Sequence, residues 1–330
     1  MARKSRRSRG GGFWLFLLGL LVGVGTLYLV YRDTARPAGL ESGSASLQGE
    51  KPPVRPVAQP ASTTSAISGE YAEAPDDVPA TPTEEGSEGQ EGAVQDDATR
   101  LPGHVALVID DLGGRMEDLQ PLVGLGVPIT YAVLPFEEQT QPVLAELRKR
   151  RAEIILHLPM QPKNSEDPGP GALVTGMSDD ELRDGTEAAL RAVPGVVGVN
   201  NHMGSRMSED ARAMTTVLEV ISRRGLFFLD SRTSAGSIGY RTARSLGIPA
   251  AERQVFLDRD PDPEAIRTQF RRLLDLSRER GAAVAIGHPL PETLQVLTEE
   301  VPKAKAEGYD FVPVSYLLDR SEGADDSGED

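Results

Sequence analysis

The sequence predicts an α/β domain folded as a distorted (β/α)7-8 barrel, preceded by one transmembrane helix and a disordered linker. Three observations lead there. Short β-branched apolar runs alternate with amphipathic helical patterns over residues 101–320, as parallel strands buried on both faces require. No two runs are joined by a hairpin signal, so neighbouring strands are expected to be parallel. Several runs end on a polar residue, all along the chain, whereas a doubly wound sheet would gather such residues at one switch point.

The chain opens with a basic segment, residues 1–12, in which Arg3, Lys4, Arg6, Arg7 and Arg9 precede an uncharged apolar run over residues 13–31. About twenty apolar residues span a bilayer as a helix, and basic residues ahead of them hold that end in the cytoplasm. The expectation is a single-pass inner-membrane protein with its C-terminal domain in the periplasm. A cleaved signal peptide is the competing reading, but the run is long for a signal segment and no A-x-A-like site directly follows it. Gly19 and Gly23 add a spacing that lets two membrane helices pack closely.

Residues 32–100 are rich in Pro, Ser, Thr, Gly, Ala and acidic side chains, too poor in large apolar groups to bury a core, and read as a disordered acidic linker. Residues 321–330 form a similar acidic tail. The net charge of −15 and the lack of a Lys/Arg cluster in the folded part argue against nucleic acid as a partner. Cysteine is absent, which removes disulfides, thiolate metal sites and Cys nucleophiles.

Within the domain, residues 101–320, the first run covers 105–109 and stops at Asp110 and Asp111, with Gly113 and Gly114 beyond. A helix at 116–125, weakened by Pro121, leads to a strand at 129–134. Residues 138–151 place Val143, Leu144 and Leu147 on one helical face, and the strand 154–156 then ends on His157. The Pro-rich loop 159–175 has a length that compact domains often keep for function. Ser178 and Glu181 make a capping box that opens a helix running to Val193. The strand 196–199 ends on Asn200, Asn201 and His202. Ser208 opens a helix with the stripe Met214, Val217, Leu218 and Ile221, and the strand 226–229 ends on Asp230. A further strand lies around 254–257, and a helix over 263–280 buries Ile266, Phe270, Leu273 and Leu274 before Gly281. The strand 282–286 ends on Gly287 and His288. The last helix, 292–307, is interrupted at Pro302, and the last strand is 311–314.

The chain has four histidines. His157, His202 and His288 fall at or beyond strand carboxyl ends, where such folds collect chemistry, while His104 precedes the first strand and belongs to the opposite, stabilising end. A carboxylate with two imidazoles is a three-ligand open site for a divalent metal, and Asp111, His157 and His202 are the candidates. The ion, expected to be zinc, would lower the pKa of water to about 7 and polarise a carbonyl. Asp110 is placed to act as base and His288 to protonate a leaving group. Asn200, Arg206, Asp230 and Arg232 are expected to orient these groups or the substrate. Structural readings stand beside these: the Asp pair as a helix cap, His157 as a core histidine, Asn200 and Asn201 as a turn, and Asp230 with Arg232 as a buried ion pair. Tyr131, Phe136 and Tyr240 are the few aromatics near the expected rim, so no strong sugar-stacking platform is evident.

The ordered motifs Val-Ile-Asp110-Asp111, Leu-His157-Leu-Pro-Met, Gly-Val-Asn-Asn-His202-Met-Gly-Ser, Phe-Leu-Asp230-Ser-Arg and Gly-His288-Pro resemble the divergent polysaccharide deacetylase family, a branch of the NodB-like carbohydrate esterases. The resemblance covers about residues 101–320 and implies a NodB-like distorted barrel. It also implies that Asp110 is the base, Asp111 and His157 are ligands, and His288 is the acid. Two departures stand out. NodB-like enzymes take two ligands from His-x-x-x-His, but the fourth residue after His157 is Gln161, so His202 on the next strand is expected to replace it. The Arg-x-Pro-Tyr motif that shapes the usual oxyanion site is not evident.

Location and resemblance together lead to a membrane-anchored periplasmic hydrolase that deacetylates an N-acetylated envelope polysaccharide or peptidoglycan. The alternative is a catalytically inactive glycan- or protein-binding envelope factor on the same barrel, which the missing second histidine favours. A third class, an iron oxygenase with two histidines and one carboxylate, is disfavoured because the ligands come from separate strands and the location is outside the reducing cytosol.

Overall fold

The computed structural model describes residues 103–318. In chain order the elements are β1 (His104–Leu112), α1 (Leu119–Gly124), β2 (Thr130–Val133), α2 (Thr140–Lys149), β3 (Glu153–Met160), α3 (Asp179–Ala192), β4 (Gly198–Met203), α4 (Ala211–Arg223), β5 (Phe227–Asp230), α5 (Gly239–Ser245), β6 (Ala250–Glu252), β7 (Val255–Phe256), α6 (Pro263–Arg280), β8 (Ala282–Gly287), α7 (Pro291–Ala306) and β9 (Asp310–Phe311). The strands form one sheet in the order β6-β5-β4-β3-β2-β1-β8-β7, with β9 beside the start of β1. Every pairing is parallel, so paired strands are joined by crossovers, as the alternating periodicities predict.

β6 and β7 lie on opposite edges of this sheet although only Arg253 and Gln254 separate them. The Arg253 N–H donates to the Asp230 carbonyl of β5, and the Gln254 N–H donates to the Val284 carbonyl of β8. One short stretch of backbone therefore bonds to the penultimate strand at each end of the sheet. The sheet curls as a barrel does, but no ladder joins β6 to β7.

Alternation sorts the strand residues into two populations. Val105, Leu107 and Ile109 pack with Leu156, Leu158 and the apolar faces of the helices. Ala106, Val108, Ala132, Ile155, Phe227, Leu229, Val284 and Ile286 form a second cluster with Val314 and Leu318 inside the curl. Continuing that inward series toward the carboxyl ends reaches Asp110 after Val108, His157 after Ile155, Asn200 and His202 after Gly198, and His288 after Ile286. The polar site is thus the layer above the apolar cluster, at the carboxyl ends of the strands. Gly198 is required below it: a Cβ there would come 2.4 Å from the Phe227 ring on β5.

Helix ends follow cap chemistry. Ser178 Oγ accepts from the Glu181 N–H while the Glu181 carboxylate accepts from the Ser178 N–H, which is the capping box expected for α3. Asp262 caps α6, Pro263 opens it, and Gly281 at φ 83° closes it.

Several expectations are corrected. α1 is shorter than 116–125, and Pro121 falls in its first turn, where a missing N–H leaves no bond unmade. α7 runs unbroken through Pro302, because Val296, Leu297, Val301 and Ala304 are buried and hold it despite the lost hydrogen bond. β3 and β4 continue past the apolar runs to Met160 and Met203. Asn200 and Asn201 are therefore strand residues, not a turn. α5 and β6 were not expected, since α5 buries only Gly239 and Ala243 and leaves no apolar stripe to read. The last strand is shorter and earlier than 311–314. The expected segments 1–12, 13–31, 32–100 and 321–330 lie outside the described residues. Among the described residues, no helix is long and apolar enough to cross a membrane.

Candidate metal centre

By alternation Asp110 faces inward and Asp111 should face the helices. Asp111 instead takes a left-handed φ of 58°, and the β1–β2 register shifts between Ile109 and Leu112. This bulge re-aims the side chain, so two consecutive carboxylates enter the same mouth. Asp111 Oδ1 then lies 2.9 Å from His202 Nδ1 and 3.1 Å from His157 Nε2. The two ring nitrogens are 3.1 Å apart.

Asp111 Oδ1 is buried and has no aligned hydrogen bond despite these neighbours. The three donor atoms lie within 4.8 Å of one another and form the one three-residue set of this kind among the described residues. Two donors about 2.0–2.1 Å from a tetrahedral zinc ion stand about 3.3 Å apart, so the set fits a small divalent cation.

Asn200 ties the layer together. Its Oδ1 is 2.8 Å from His157 Nδ1, and its Nδ2 donates to Asp110 Oδ1 at 2.9 Å and to Ser231 Oγ at 3.2 Å. An amide oxygen there calls for a proton on Nδ1, which leaves the His157 Nε2 lone pair facing Asp111. His288 is held on the other side by Asp258. The His288 N–H donates to Asp258 Oδ2 at 2.6 Å, and Nδ1 lies 2.9 Å from Oδ1. Thr293 Oγ1 donates to the same carboxylate at 2.7 Å. His288 Nε2 is 3.9 Å from Asp111 Oδ2.

These surroundings separate the two neighbouring carboxyls. Burial raises Asp110, and His157 and His288 only partly offset it. Burial also acts on Asp111, but His202 and His157 outweigh it and hold this carboxyl well below the usual range. His157 is raised against the opposing effect of burial, by Asp110 and Asp111. His288 is pushed up to about 9: burial opposes this, and Asp258 supplies most of the rise. One carboxylate is thus disposed to stay anionic, its neighbour to accept a proton, and His288 to hold one at neutral pH.

A profile described as divergent polysaccharide deacetylase matches residues 107–318. The chain belongs to this family. The matched span contains each residue of the top layer, from Asp110 to His288. An uncharacterized protein, YibQ, of Escherichia coli (strain K12) is 36% identical over 201 residues, which is 61% of this chain and 63% of that protein. The match thus spans less than two thirds of that relative. An uncharacterized protein of Haemophilus influenzae (strain ATCC 51907 / DSM 11121 / KW20 / Rd) is 33% identical over 193 residues, 58% of this chain and 69% of its own. The crystal structure of an uncharacterized protein from Agrobacterium tumefaciens C58 shares the fold, with a TM-score of 0.62 and 25% identity over 66% of this chain and 90% of that one.

The divergent polysaccharide deacetylase domain brings Asp110, Asp111, His157, Asn200, His202 and His288 together, and leaves the other three expected site residues elsewhere. Asp230 orients no histidine. Its carboxylate accepts from Ser237 Oγ, Tyr240 N–H and Arg232 N–H, which holds the turn leading into α5. Arg232 donates to the Ser237 carbonyl and lies 3.6 Å from Glu252. Arg206 is exposed, and its N–H donates to the Gln161 carbonyl.

The carboxylate that orients a histidine is Asp258, which the sequence reading missed. The signal was present, since Asp258 directly follows the run 254–257 as His157 follows 154–156. Gln161 serves the loop that follows β3: its Oε1 accepts from both the N–H and the Oγ1 of Thr175. His104 pairs with Asp310 at 3.1 Å, at the amino end as expected. Tyr131 lines a cleft of about 620 Å³ with Arg150, Glu153 and Pro313, away from the top layer, and Tyr240 packs on the core.

Proposed function

We propose that the protein is a metal-dependent hydrolase that removes acetyl groups from an N-acetylated envelope glycan. The observation that carries this reading is the division of labour in the top layer. Asp111 stands with His157 and His202 as a donor set, while Asp110, bonded to Asn200, lies 3.6 Å from His157 Nε2, and His288, just past β8, stands 3.9 Å from Asp111. A divalent ion in that set, zinc by the chemistry of its donors, would polarise the amide carbonyl and make water acidic enough to ionise near pH 7.

The protein supplies the proton transfers. Asp110, whose burial raises its proton affinity, takes the proton of the attacking water. His288, kept protonated by Asp258, gives its Nε2 proton to the departing amine, which leaves poorly as an anion. The apolar segment 13–31 behind its basic residues supports an inner-membrane anchor with the domain in the periplasm. Peptidoglycan or another envelope polysaccharide is then the accessible substrate.

The test compares zinc content of full-length wild type, His202→Ala and Asp110→Asn after exposure to limiting zinc. Wild type is expected to retain about one ion and His202→Ala to lose most of it. Asp110→Asn should keep the ion yet lose at least about a hundredfold in deacetylation of an N-acetylated oligosaccharide. A folded wild type that retains no metal would sink the hydrolase. The commitment of Gln161 to its loop favours, as a second reading, a glycan-binding factor without catalysis, in which Asp110→Asn changes nothing.

A further inference from the structure

We infer that Phe136 is a sugar-stacking subsite at the rim, seated on Gly171 and directed at a pyranose ring next to the one being deacetylated. This rests on the glycan-directed reading above. Among the described residues Phe136 is 41% exposed, while every other phenylalanine is buried. At the mouth of a polar site, a fixed aromatic ring offers a flat apolar face that the C–H face of a pyranose can cover.

The ring is held by two loops that leave the sheet at the carboxyl ends of β2 and β3. On the β2 side, the Leu134 N–H donates to the Leu112 carbonyl, and the Gln139 N–H donates to the Gly113 carbonyl, both at 2.8 Å. The loop carrying Phe136 is thereby tied directly behind Asp111. Thr140 Oγ1 closes it by donating to the Leu134 carbonyl at 2.7 Å. On the β3 side, Gly171 sits two residues before Leu173, which bridges to Met160 and exchanges backbone bonds with Pro159 and Gln161.

Gly171 is built for the contact. Its φ is 79°, and a Cβ on it would lie 2.3 Å from Phe136 Cε2 and 2.6 Å from Cδ2. The Leu173 side chain in turn fills the space left by Gly185 on α3, where a Cβ would come within 2.6 Å. Arg212 fastens the far end of the loop through the Thr175 and Met177 carbonyls, at 2.7 and 3.0 Å. The ring is therefore positioned before any ligand arrives, so binding gives up little further side-chain freedom. β1, β2 and β3 are neighbours, so a glycan that reaches Asp111 and His157 passes this rim.

The test uses full-length, zinc-loaded protein and tetra-N-acetylchitotetraose, with KM and kcat read from acetate release and Kd from calorimetric titration. Phe136→Ala should raise KM and Kd about tenfold, the loss falling on KM rather than kcat, and Phe136→Trp should restore both. An unchanged KM and Kd in Phe136→Ala, no rescue by Trp, or no binding by wild type would overturn the subsite. If wild type binds the tetramer and releases no acetate, the hydrolase reading fails alone, and the Kd series still decides the role of Phe136.

Discussion

Asp110 and Asp111 are chemically identical neighbours, yet one is raised and the other lowered in pKa, because a single left-handed residue turns Asp111 toward two imidazoles while Asp110 keeps its inward place beside Asn200. The same logic governs His288, which Asp258 raises to about 9 from 6.5. A group raised on folding stabilises fully below its unfolded value, and that stabilisation is lost as pH climbs through the folded one. Metal-free wild type should therefore lose thermal stability between about pH 6.5 and 9. Asp258→Asn should flatten that slope and move the basic limb of any deacetylation profile to lower pH. Calorimetry across this window checks it, and an unchanged slope in Asp258→Asn would remove Asp258 from the account. Asp110, Asp111, His157, His202 and His288 were legible because each follows an apolar run. Asp258 follows the same rule, but its strand is only two residues long and announces itself weakly.

At the scale of elements, the strands carry the site only if the layer beneath stays packed. β4 contributes Gly198 to that layer so that Phe227 of β5 can fill the interior. Gly198→Ala should destabilise the domain by about 1–3 kcal/mol through overpacking, read as a lower denaturation midpoint with unchanged slope. A neutral result would mean that the Phe227 ring can move aside. Helices with strong caps and stripes, α3, α4 and α6, were readable to within a few residues. α5 and β6 were not, since their residues are placed by neighbours rather than by any period of their own. β3 and β4 outlast their apolar runs because parallel partners, His157 with Asn200 and Pro159 with His202, keep pairing them.

For the whole molecule, a ligand set drawn from β1, β3 and β4 makes metal binding a measure of the native fold. Zinc at about 100 times its Kd should add about 2.7 kcal/mol, or roughly 5–10 °C in Tm for a domain of this size. His202→Ala should show no such gain, and a gain of equal size there would place the ion elsewhere. The sequence by itself determined the parallel α/β class, the order of the elements other than α5 and β6, and most strand ends on which the chemistry falls, because apolar periodicity and caps are local properties of the chain. Only the tertiary structure decided which polar residues meet. Asp111 enters through a bulge, Asp258 rather than Asp230 holds a histidine, Gln161 turns to its loop, and Phe136 rests on Gly171. Each of these depends on the register between strands and on backbone torsion, and neither is written in any one segment.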